Sequence, residues 1–407
     1  MSNPDEMSKG GRFNRRMFLS GILPVVAGAV ALPVLGAGVA TGNPEPGQQG
    51  LPGNDTFPGL ITREKNPVNL EFPFPTLNSR IIPNNRFFIR THFPIPAIEA
   101  ASWELFIEGE VRKEFKINYE DLRKLPSKTV MATIECAGNS RSFLVPKAKG
   151  LLWEQGGIGN AEWTGVPLSV LLDKAGIKEG TIEIILEGKD QGEINEEPKS
   201  PGTIHFARSL SLTKAMQPEV IIAYQMNEKN LSPEHGFPVR AIIPGYYGMA
   251  SVKWLTRITA TASPYEGYWQ TLEYAYWKRK NGLPTLTAVT STQVKSEISR
   301  PALHETIPAS KLYRVFGAAW TGDTAIAQVE ISTDDGSTWQ SASLLDKAIP
   351  FAWQFWEYNW TAPNKPGRYK IMSRATDKQG NVQPAKHDPD RRNYMVNFIE
   401  TIEIEVE

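Results

Sequence analysis

Short apolar segments, separated by polar and turn-forming residues, recur along the chain from about residue 67 onwards. Residues 102–111 (SWELFIEGEV) alternate between apolar and polar positions, which is typical of a strand with one buried face. Shorter, mostly apolar runs predict buried strands at 129–135, 181–188, 219–227 and 238–245. The first part of the chain is therefore rich in strands.

Helical patterns in this part are few and short. NYEDLRKLP (118–126) begins with Asn118 as an N-cap and is stopped by a proline. PLSVLLDKAG (167–176) has helical spacing and ends at Gly176. Because the pattern contains no regular βαβ repeat, we predict an α+β domain over 67–283 rather than a doubly wound parallel sheet.

The pattern changes near residue 284, where strand-like runs follow one another with only turn residues between them. The Asp-Gly pair at 335–336 is a signal for a tight turn. Trp356, Tyr358 and Trp360 alternate along one run, which favours an aromatic stripe in a core over a ligand platform. These features predict an immunoglobulin-like β-sandwich over 284–407. Its expected strands are 311–320, 325–339, 353–362, 367–376 and 401–406.

The N-terminal forty residues differ in composition from the rest. Arg15 and Arg16 precede an apolar run that is rich in glycine and alanine and continues to about residue 40. A basic segment followed by such a run is typical of a secretory signal peptide, and the paired arginine indicates the twin-arginine (Tat) export route. A membrane anchor is the alternative, but the prolines and glycines of the run make a poor membrane helix.

This N-terminal pattern predicts how the mature protein is delivered. We expect a Tat signal peptide over 1–40 and a flexible tether, rich in proline and glycine, over 41–66. The expected location is the periplasm, and no membrane span is expected in the mature form.

Charge and cysteine content limit the classes of function. Lys+Arg and Asp+Glu each total 44, so no overall basic field indicates a nucleic-acid partner. Cys136 is the single cysteine, which excludes an intrachain disulfide, a covalently attached haem and a cysteine-ligated iron–sulfur cluster in this chain. The chain can therefore offer one thiolate at most to a cofactor.

Cys136 lies in the segment MATIECAGNSRSF (131–143), where an apolar strand runs into a glycine turn. Such a turn lets the backbone approach a ligand closely, and the charge of Arg141 would favour the thiolate form. The alternative is a buried, inert cysteine that packs as a small apolar residue.

Four segments together carry a resemblance to a known family. ECAGNSR, FFIRTHFPIP (87–96), EHGFPVRAIIPGYYGMASVKWL (234–255) and DPDRRN (388–393) resemble the sulfite oxidase family of molybdenum enzymes. The resemblance implies a catalytic α+β domain with mixed, barrel-rich sheets over 67–283, followed by an immunoglobulin-like dimerisation domain over 284–407. In organisation the chain is similar to bacterial periplasmic sulfite dehydrogenases, whose catalytic subunit has no haem domain.

The resemblance implies a molybdenum–molybdopterin cofactor whose metal is bound by the thiolate of Cys136, and soft sulfur suits such a metal. Arg90 and His92 are two residues apart in an extended segment, so they share one face. A structural ion pair is the alternative to a functional role for these two residues. The residues implied to bind the cofactor are His92, Cys136, His235, Arg240, Ser251 and Lys253.

The resemblance also implies a pocket for a small anionic substrate. Tyr276 is an alternative to Tyr274, since both would lie on one face of a strand, and Arg391 is an alternative to Arg392. The alternative role of Trp163 is packing in the core. The candidate residues of the pocket are Arg90, Arg141, Trp163, Tyr274 and Arg392.

The activity implied by the family is oxidation of sulfite to sulfate, by oxygen-atom transfer between Mo(VI) and Mo(IV). Arginines in the pocket would concentrate and orient the anion. The electrons would leave singly to an external c-type cytochrome, because no haem is expected in this chain. The second domain implies a homodimer.

Other functions remain open on the sequence. The catalytic subunit of a thiosulfate-oxidising complex would act on protein-bound sulfur, and a periplasmic sulfoxide reductase would lack the C-terminal sandwich. A nitrate reductase would need a reductase module with haem and flavin. A non-enzymatic periplasmic binding protein would explain export and the sandwich, but not a single cysteine beside Arg141.

Overall fold

The computed structural model describes residues 57–407, which belong to one compact unit. The expected signal peptide over 1–40 lies outside the described residues, as does the first part of the expected tether. No helix in the range 57–407 is both long and apolar enough to cross a membrane.

Strands dominate both parts of the described chain, and helices are short. The strands of the first part are β1 (Ile61–Lys65), β2 (Val68–Glu71), β3 (Glu104–Gly109), β4 (Phe115–Asn118), β5 (Lys128–Glu135), β6 (Ile158–Pro167), β7 (Glu183–Gly192), β8 (Ile204–Ser211), β9 (Ile221–Met226), β10 (Lys229–Asn230), β11 (Arg240–Ile242), β12 (Leu255–Thr261), β13 (Ala275–Lys280) and β14 (Leu283–Ala288). Those of the second part are β15 (Lys295–Arg300), β16 (Thr306–Ile307), β17 (Leu312–Trp320), β18 (Ile326–Ser332), β19 (Gln340–Ser341), β20 (Ser343–Leu344), β21 (Gln354–Thr361), β22 (Gly367–Asp377) and β23 (Thr401–Val406). The α-helices are α1 (Tyr119–Arg123), α2 (Leu168–Ala175), α3 (Leu212–Ala215) and α4 (Tyr268–Thr271). Short 3₁₀ turns occur at Phe74–Thr76, Asn84–Arg86, Arg141–Phe143, Pro233–His235, Gly248–Ala250 and Pro389–Arg391.

The strands of the first part form two five-stranded sheets and two antiparallel hairpins, β1–β2 and β13–β14. One sheet has the order β10-β9-β6-β5, with β11 also paired to β9; the other has the order β4-β3-β12-β7-β8. The second sheet is mixed, because β12 runs parallel to β3 and antiparallel to β7. The strands predicted in this part are present as β3, β5, β7, β9 and β11, and the α+β class is confirmed.

The ends of two helices follow from single residues. The Asn118 side chain accepts a hydrogen bond from the Asp121 amide (2.9 Å) and so caps α1. Helix α2 ends at Gly176, whose φ of 70° lies in the left-handed region that favours glycine.

The second part is a β-sandwich of two sheets, in the orders β15-β17-β21-β20 and β16-β23-β22-β18-β19. Trp356 and Trp360 are buried in the core between the sheets, together with Ile371 and Ile404. The Asp-Gly pair at 335–336 forms the expected turn, with both residues at positive φ. The predicted sandwich and the core role of the aromatic stripe are confirmed.

Three segments differ from what the sequence predicted. Part of the expected tether is folded, because Phe57 and Leu60 are buried and β1 pairs with β2. Tyr274 and Tyr276 do not lie in one strand as expected, since Tyr274 has a positive φ of 46° and β13 begins at Ala275. The sandwich begins at β15 rather than at residue 284, because β14 pairs with β13 instead.

A cavity lies between the two five-stranded sheets of the first part. One sheet contributes Cys136, at the end of β5, and Arg240 in β11; the other contributes Asp190 in β7 and Phe206 in β8. Buried polar and charged side chains gather at this place, which makes it the candidate site.

Candidate active site

The candidate site is this cavity, which has a volume of about 60 Å³, and its lining rather than its size points to a ligand. Its polar lining comes from segments that are distant in sequence, so the site exists only in the folded chain. The residues indicated by the sequence that line it are Arg90, His92, Cys136, His235, Arg240, Ser251, Lys253 and Tyr274.

Cys136 directly follows β5 and is buried at the cavity wall. Its amide donates a hydrogen bond to the Gly157 carbonyl (2.8 Å), and its carbonyl accepts one from the Asn139 amide (2.9 Å). The backbone on both sides of the thiol is therefore fixed, which gives the sulfur a defined position at the end of a strand.

His92 and Tyr274 form a hydrogen-bonded pair at the cavity, with 2.6 Å between Nε2 and the phenol oxygen. The imidazole ring stacks on Phe206 at 4.4 Å between centroids and lies 4.6 Å from the Trp269 ring. This aromatic packing holds the imidazole in one orientation, so that the phenol oxygen is held as well.

Both members of this pair are neutral at pH 7. Burial, together with the charges of Arg90 and Lys253, holds the pKa of His92 well below its usual value. Burial raises the pKa of Tyr274 to about 12, although Arg90 acts in the opposite direction. The tyrosine hydroxyl therefore keeps its proton and can donate it in a hydrogen bond.

Arg240, the first residue of β11, is a buried cation that has no carboxylate partner among the described residues. Its Nη1 donates to the His235 carbonyl (3.2 Å) and its Nη2 to the Ser251 carbonyl (3.0 Å). The guanidinium lies 5.0 Å from the centroid of the Trp163 ring. Burial lowers the pKa of Arg240 to about 9, so the group is still charged at neutral pH.

His235 contributes a neutral imidazole to the same wall. Its Nε2 lies 2.8 Å from the Asn84 carbonyl, and because a carbonyl only accepts, this nitrogen carries the proton. The rings of Phe57 and Phe87 pack against the imidazole edge-on. Burial lowers the pKa of His235 to about 3, which keeps the ring uncharged over the physiological range.

Lys253 and Asp190 also belong to the charged lining, as does Glu234. Lys253 Nζ donates to the Glu234 carbonyl (2.8 Å), and burial with the neighbouring Arg240 holds the pKa of Lys253 well below its usual value. Burial raises the pKa of Asp190 to about 7, against the effect of Lys253. Asp190 Oδ1 is buried without a hydrogen-bond partner among the described residues, so this part of the cavity offers unsatisfied polar atoms.

Arg141 and Arg392 do not line the cavity, in contrast to the expectation that they share one pocket with Arg90. Arg141 Nε donates to the Asn393 carbonyl and Arg392 Nη1 to the Ala275 carbonyl, both at 3.0 Å. The two guanidinium groups also flank the ring of Tyr394, at 5.3 and 5.9 Å from its centroid. Backbone acceptors and this ring hold both side chains outside the cavity.

Trp163 is also outside the cavity, because it is fully buried against the ring of Phe87 (5.8 Å between centroids). Its observed surroundings are those of core packing. The two alternatives from the sequence do not line the cavity either: Tyr276 is half-buried, and Arg391 donates to the Asn397 side chain (2.6 Å).

Three residues next to the site were not found from the sequence: Asp190, Arg208 and Tyr394. Arg208 is almost fully buried in β8, with its guanidinium 6.0 Å from the centroid of the Tyr274 ring. The Tyr394 ring packs against Tyr274 at 5.1 Å between centroids. An arginine in the apolar run IHFARSLS was a usable signal for Arg208, whereas no local pattern distinguishes Tyr394.

The lining fits an anionic, metal-containing cofactor. Arg240 Nε and Asp190 Oδ1 are buried without partners in the described part of the chain, and a bound polar group would satisfy them. No cluster of three or more His, Cys, Asp or Glu residues within 57–407 could hold a metal ion by itself. A metal at this site would therefore combine the thiolate of Cys136 with ligands that a cofactor brings.

Two families of known domains match the chain. Residues 92–269 match the oxidoreductase molybdopterin binding domain, and residues 287–407 match the Mo-co oxidoreductase dimerisation domain. Six of the eight sequence-indicated residues in the cavity lining belong to the first match, and Arg90 and Tyr274 lie just outside its ends.

The chain is also similar to proteins with assigned activities. It is 34 % identical to sulfite oxidase of Gallus gallus over 80 % of this chain and 73 % of that protein. It is 31 % identical to mitochondrial sulfite oxidase of Drosophila melanogaster over 85 % of this chain, but spans only 63 % of that protein. The crystal structure of the sulfane dehydrogenase SoxCD from Paracoccus pantotrophus matches with a TM-score of 0.72 and 27 % identity, over 87 % of this chain and 90 % of that one.

Fold, site and matched domains define a molybdenum oxidoreductase that binds a molybdopterin cofactor. Within this class, the chain belongs to the sulfite oxidase family. The family prediction and the molybdenum cofactor are thereby confirmed, whereas the roles of individual side chains remain predictions.

The low pKa of His235 predicts how stability responds to acid in the cofactor-free chain. Between pH 6.5 and pH 3 the unfolded chain binds a proton at His235 that the folded chain does not, so stability falls as the pH falls. From pH 7 to pH 4, the free energy of unfolding should decrease by ~3 kcal/mol more in the wild type than in His235→Gln. Glutamine keeps an N–H donor for the Asn84 carbonyl but does not titrate.

Urea unfolding at a series of pH values measures this difference. His304→Gln, a change at an exposed histidine, is the matched control and should follow the wild type. Equal pH slopes for the wild type and His235→Gln would show that His235 is not kept neutral by the fold.

Proposed function

We propose that this protein is a periplasmic sulfite dehydrogenase, which oxidises sulfite to sulfate and passes the electrons one at a time to an external c-type cytochrome. The observation that carries the proposal is one cavity in which a single buried thiol meets Arg90, Arg240 and Lys253. Such a lining suits an anionic cofactor and an anionic substrate. The sulfite oxidases among the relatives support the choice of substrate.

Different residues of the chain would bind different parts of the cofactor. Cys136 would hold the molybdenum, and Arg240, with Lys253, would hold the anionic part of the pterin by charge-assisted hydrogen bonds. His235 and Ser251 would complete this cradle. When bound, the molybdenum–molybdopterin cofactor supplies the two-electron oxygen-atom transfer.

Arg90 is the arginine best placed to bind the substrate anion. Its guanidinium lines the cavity, is half-buried, and has no carboxylate partner among the described residues. Its Nη1 reaches only the side-chain oxygen of Asn69 (3.4 Å) and the Thr91 carbonyl, so further N–H groups remain for an anion.

The His92–Tyr274 pair would supply a neutral donor beside that arginine. Because Tyr274 keeps its proton at neutral pH, its hydroxyl can donate to an oxygen of the substrate without adding charge. His92, which is neutral and stacked on Phe206, would hold the phenol oxygen in place. Arg141 and Arg392 would act on the substrate only indirectly, because their guanidinium groups contact the ring of Tyr394, which packs on Tyr274.

A second candidate function is oxidation of protein-bound sulfur, as in a thiosulfate-oxidising complex. The similarity to a sulfane dehydrogenase, which extends over 87 % of this chain, favours it. The two functions differ in substrate size, so an assay with free sulfite beside a sulfur-loaded carrier protein separates them. A periplasmic sulfoxide reductase receives less support, because residues 287–407 match a dimerisation domain.

Location and assembly are part of the proposal. Arg15 and Arg16 before an apolar run support Tat export, which leads to the periplasm and to an electron acceptor there. The matched dimerisation domain supports a homodimer.

Cys136→Ser should lose more than about 100-fold of sulfite-dependent cytochrome c reduction, because no other cysteine can provide a thiolate. Ser142→Ala is the matched control: Ser142 lies just beyond the turn that carries Cys136, and its hydroxyl is buried without a partner in the described chain. Circular dichroism checks that both variants fold. Activity near the wild-type level in Cys136→Ser would refute the assignment of the metal ligand.

Arg90→Gln should raise KM for sulfite by about tenfold or more, since one hydrogen bond from a charged donor to the anion is lost. The effect should shrink at high ionic strength, which screens the charge in the wild type. Arg86→Gln is the control, because the Arg86 guanidinium lies against the Phe72 ring instead (5.4 Å). An unchanged KM would place the anion elsewhere.

Changing both arginines of the signal, Arg15→Lys with Arg16→Lys, should keep the protein in the cytoplasmic fraction, since the paired arginine is what the Tat route reads. Immunoblots of periplasmic and cytoplasmic fractions measure this. Arg12→Lys is a conservative control outside the pair and should be exported. Normal export of the double variant would contradict the Tat assignment.

A further inference from the structure

A buried ion cluster lies behind the turn that carries Cys136. Lys295, the first residue of β15, is only 1 % exposed. Its Nζ lies 2.6 Å from Glu297 Oε1, 3.6 Å from Glu135 Oε1 and 3.9 Å from Glu400 Oε1. One ammonium group thus faces three buried carboxyl groups.

The cluster joins the two matched domains. Glu135 directly precedes Cys136 in the molybdopterin binding domain, whereas Lys295, Glu297 and Glu400 belong to the dimerisation domain. The indole of Trp320, also in the dimerisation domain, donates from Nε1 to Glu135 Oε2 (2.9 Å). The residue next to the thiol is therefore held by the second domain.

Lys295 also contacts the turn that carries Cys136 through the side chain of Ser140. Ser140 is fully buried, and its φ of 66° is in the left-handed region, where a residue with a Cβ costs ~1 kcal/mol. Its hydroxyl accepts a hydrogen bond from Lys295 Nζ (2.7 Å) and donates one to Glu297 Oε1 (2.8 Å). These bonds hold a backbone conformation that serine does not favour by itself.

Glu135 precedes Cys136 in the sequence and Ser140 follows it, so Lys295 contacts the chain on both sides of the thiol. Asn139, between Cys136 and Ser140, donates from Nδ2 to Glu135 Oε1 (3.2 Å) and accepts at Oδ1 from the Gly157 amide (2.9 Å). The turn 136–141 is therefore supported by connected hydrogen bonds and ion pairs that end at Lys295. A buried ammonium among carboxyl groups has few alternative positions, because a broken contact leaves a buried charge unpaired.

We propose that Lys295 is a positioning residue for the metal-binding cysteine: from the dimerisation domain, it sets the position of the Cys136 thiolate through Ser140 and Glu135. This inference rests on the proposed role of Cys136 as the molybdenum ligand. It means that the dimerisation domain shapes the metal site of its own chain, in addition to any contact with a second chain.

Ser140→Gly is the decisive variant. Glycine adopts a positive φ without strain, so the turn can keep its shape while the hydroxyl that Lys295 holds is removed. Ser373→Ala is the matched control, because it removes an equally buried hydroxyl of the sandwich, bonded to Ser296 (2.9 Å), that does not touch the turn. Lys295→Met removes the ammonium itself.

The measurements use the purified holoenzyme of each variant. The first is the electron paramagnetic resonance spectrum of the molybdenum centre reduced by one electron, which reports the arrangement of its ligands. The second is the rate at which molybdenum is lost after dilution, by metal analysis. Ser140→Gly should change the spectrum and lose metal about tenfold faster, as for a residue that orients a metal ligand; Ser373→Ala should match the wild type in both.

A wild-type spectrum and wild-type metal retention in Ser140→Gly would overturn the inference, whether or not Lys295→Met folds. The spectrum of Cys136→Ser distinguishes failure of the positioning role from failure of the proposed function. If Cys136→Ser changes the spectrum and Ser140→Gly does not, only the positioning role is refuted. If Cys136→Ser itself has the wild-type spectrum, the thiolate is not a ligand. Both the positioning role of Lys295 and the assignment of Cys136 as the molybdenum ligand are then refuted.

Discussion

Arg240 is buried without a carboxylate partner within residues 57–407, and it binds the backbone of two other residues that line the cavity. Removal of a guanidinium from water costs several kcal/mol unless other groups replace the water. The carbonyls of His235 and Ser251 and the ring of Trp163 replace it in part, while Nε stays unsatisfied in the described structure. The pairing of β11 with β9 holds the backbone that carries this side chain in the sheet. An anion in the cavity is the group that would offset this cost.

Residues of the second domain contact this site directly. Met395 donates from its amide to the Ala137 carbonyl (2.8 Å), one residue beyond Cys136. The Tyr394 ring beside it packs on Tyr274 and donates from its hydroxyl to Glu273. The two residues that directly follow the DPDRRN motif therefore contact two residues that line the cavity. This arrangement explains why residues 57–407 form one compact unit although two domain families match them.

Much of the fold and part of the site could be predicted from the sequence, for local reasons. Alternation of apolar residues is a property of a strand itself, so β3, β5 and the strands of the sandwich were found. Strand β15 was missed, because its buried positions include Lys295 and Glu297, which read as exposed in isolation. The turn at Tyr274 was missed because tyrosine is not a turn-forming residue, although its φ is positive.

The sequence by itself indicated the class of cofactor, through the family resemblance of four motifs, and eight of the residues that line the cavity, because these motifs are local in the chain. Only the tertiary structure decided which charged side chains reach the cavity. Arg90 reaches it, whereas Arg141 and Arg392 are held by backbone carbonyls. A long side chain can point to several places from one backbone position, and the acceptors that choose among them come from residues distant in sequence. For the same physical reason, no local pattern indicated that a lysine of the second domain supports the turn beside the thiol.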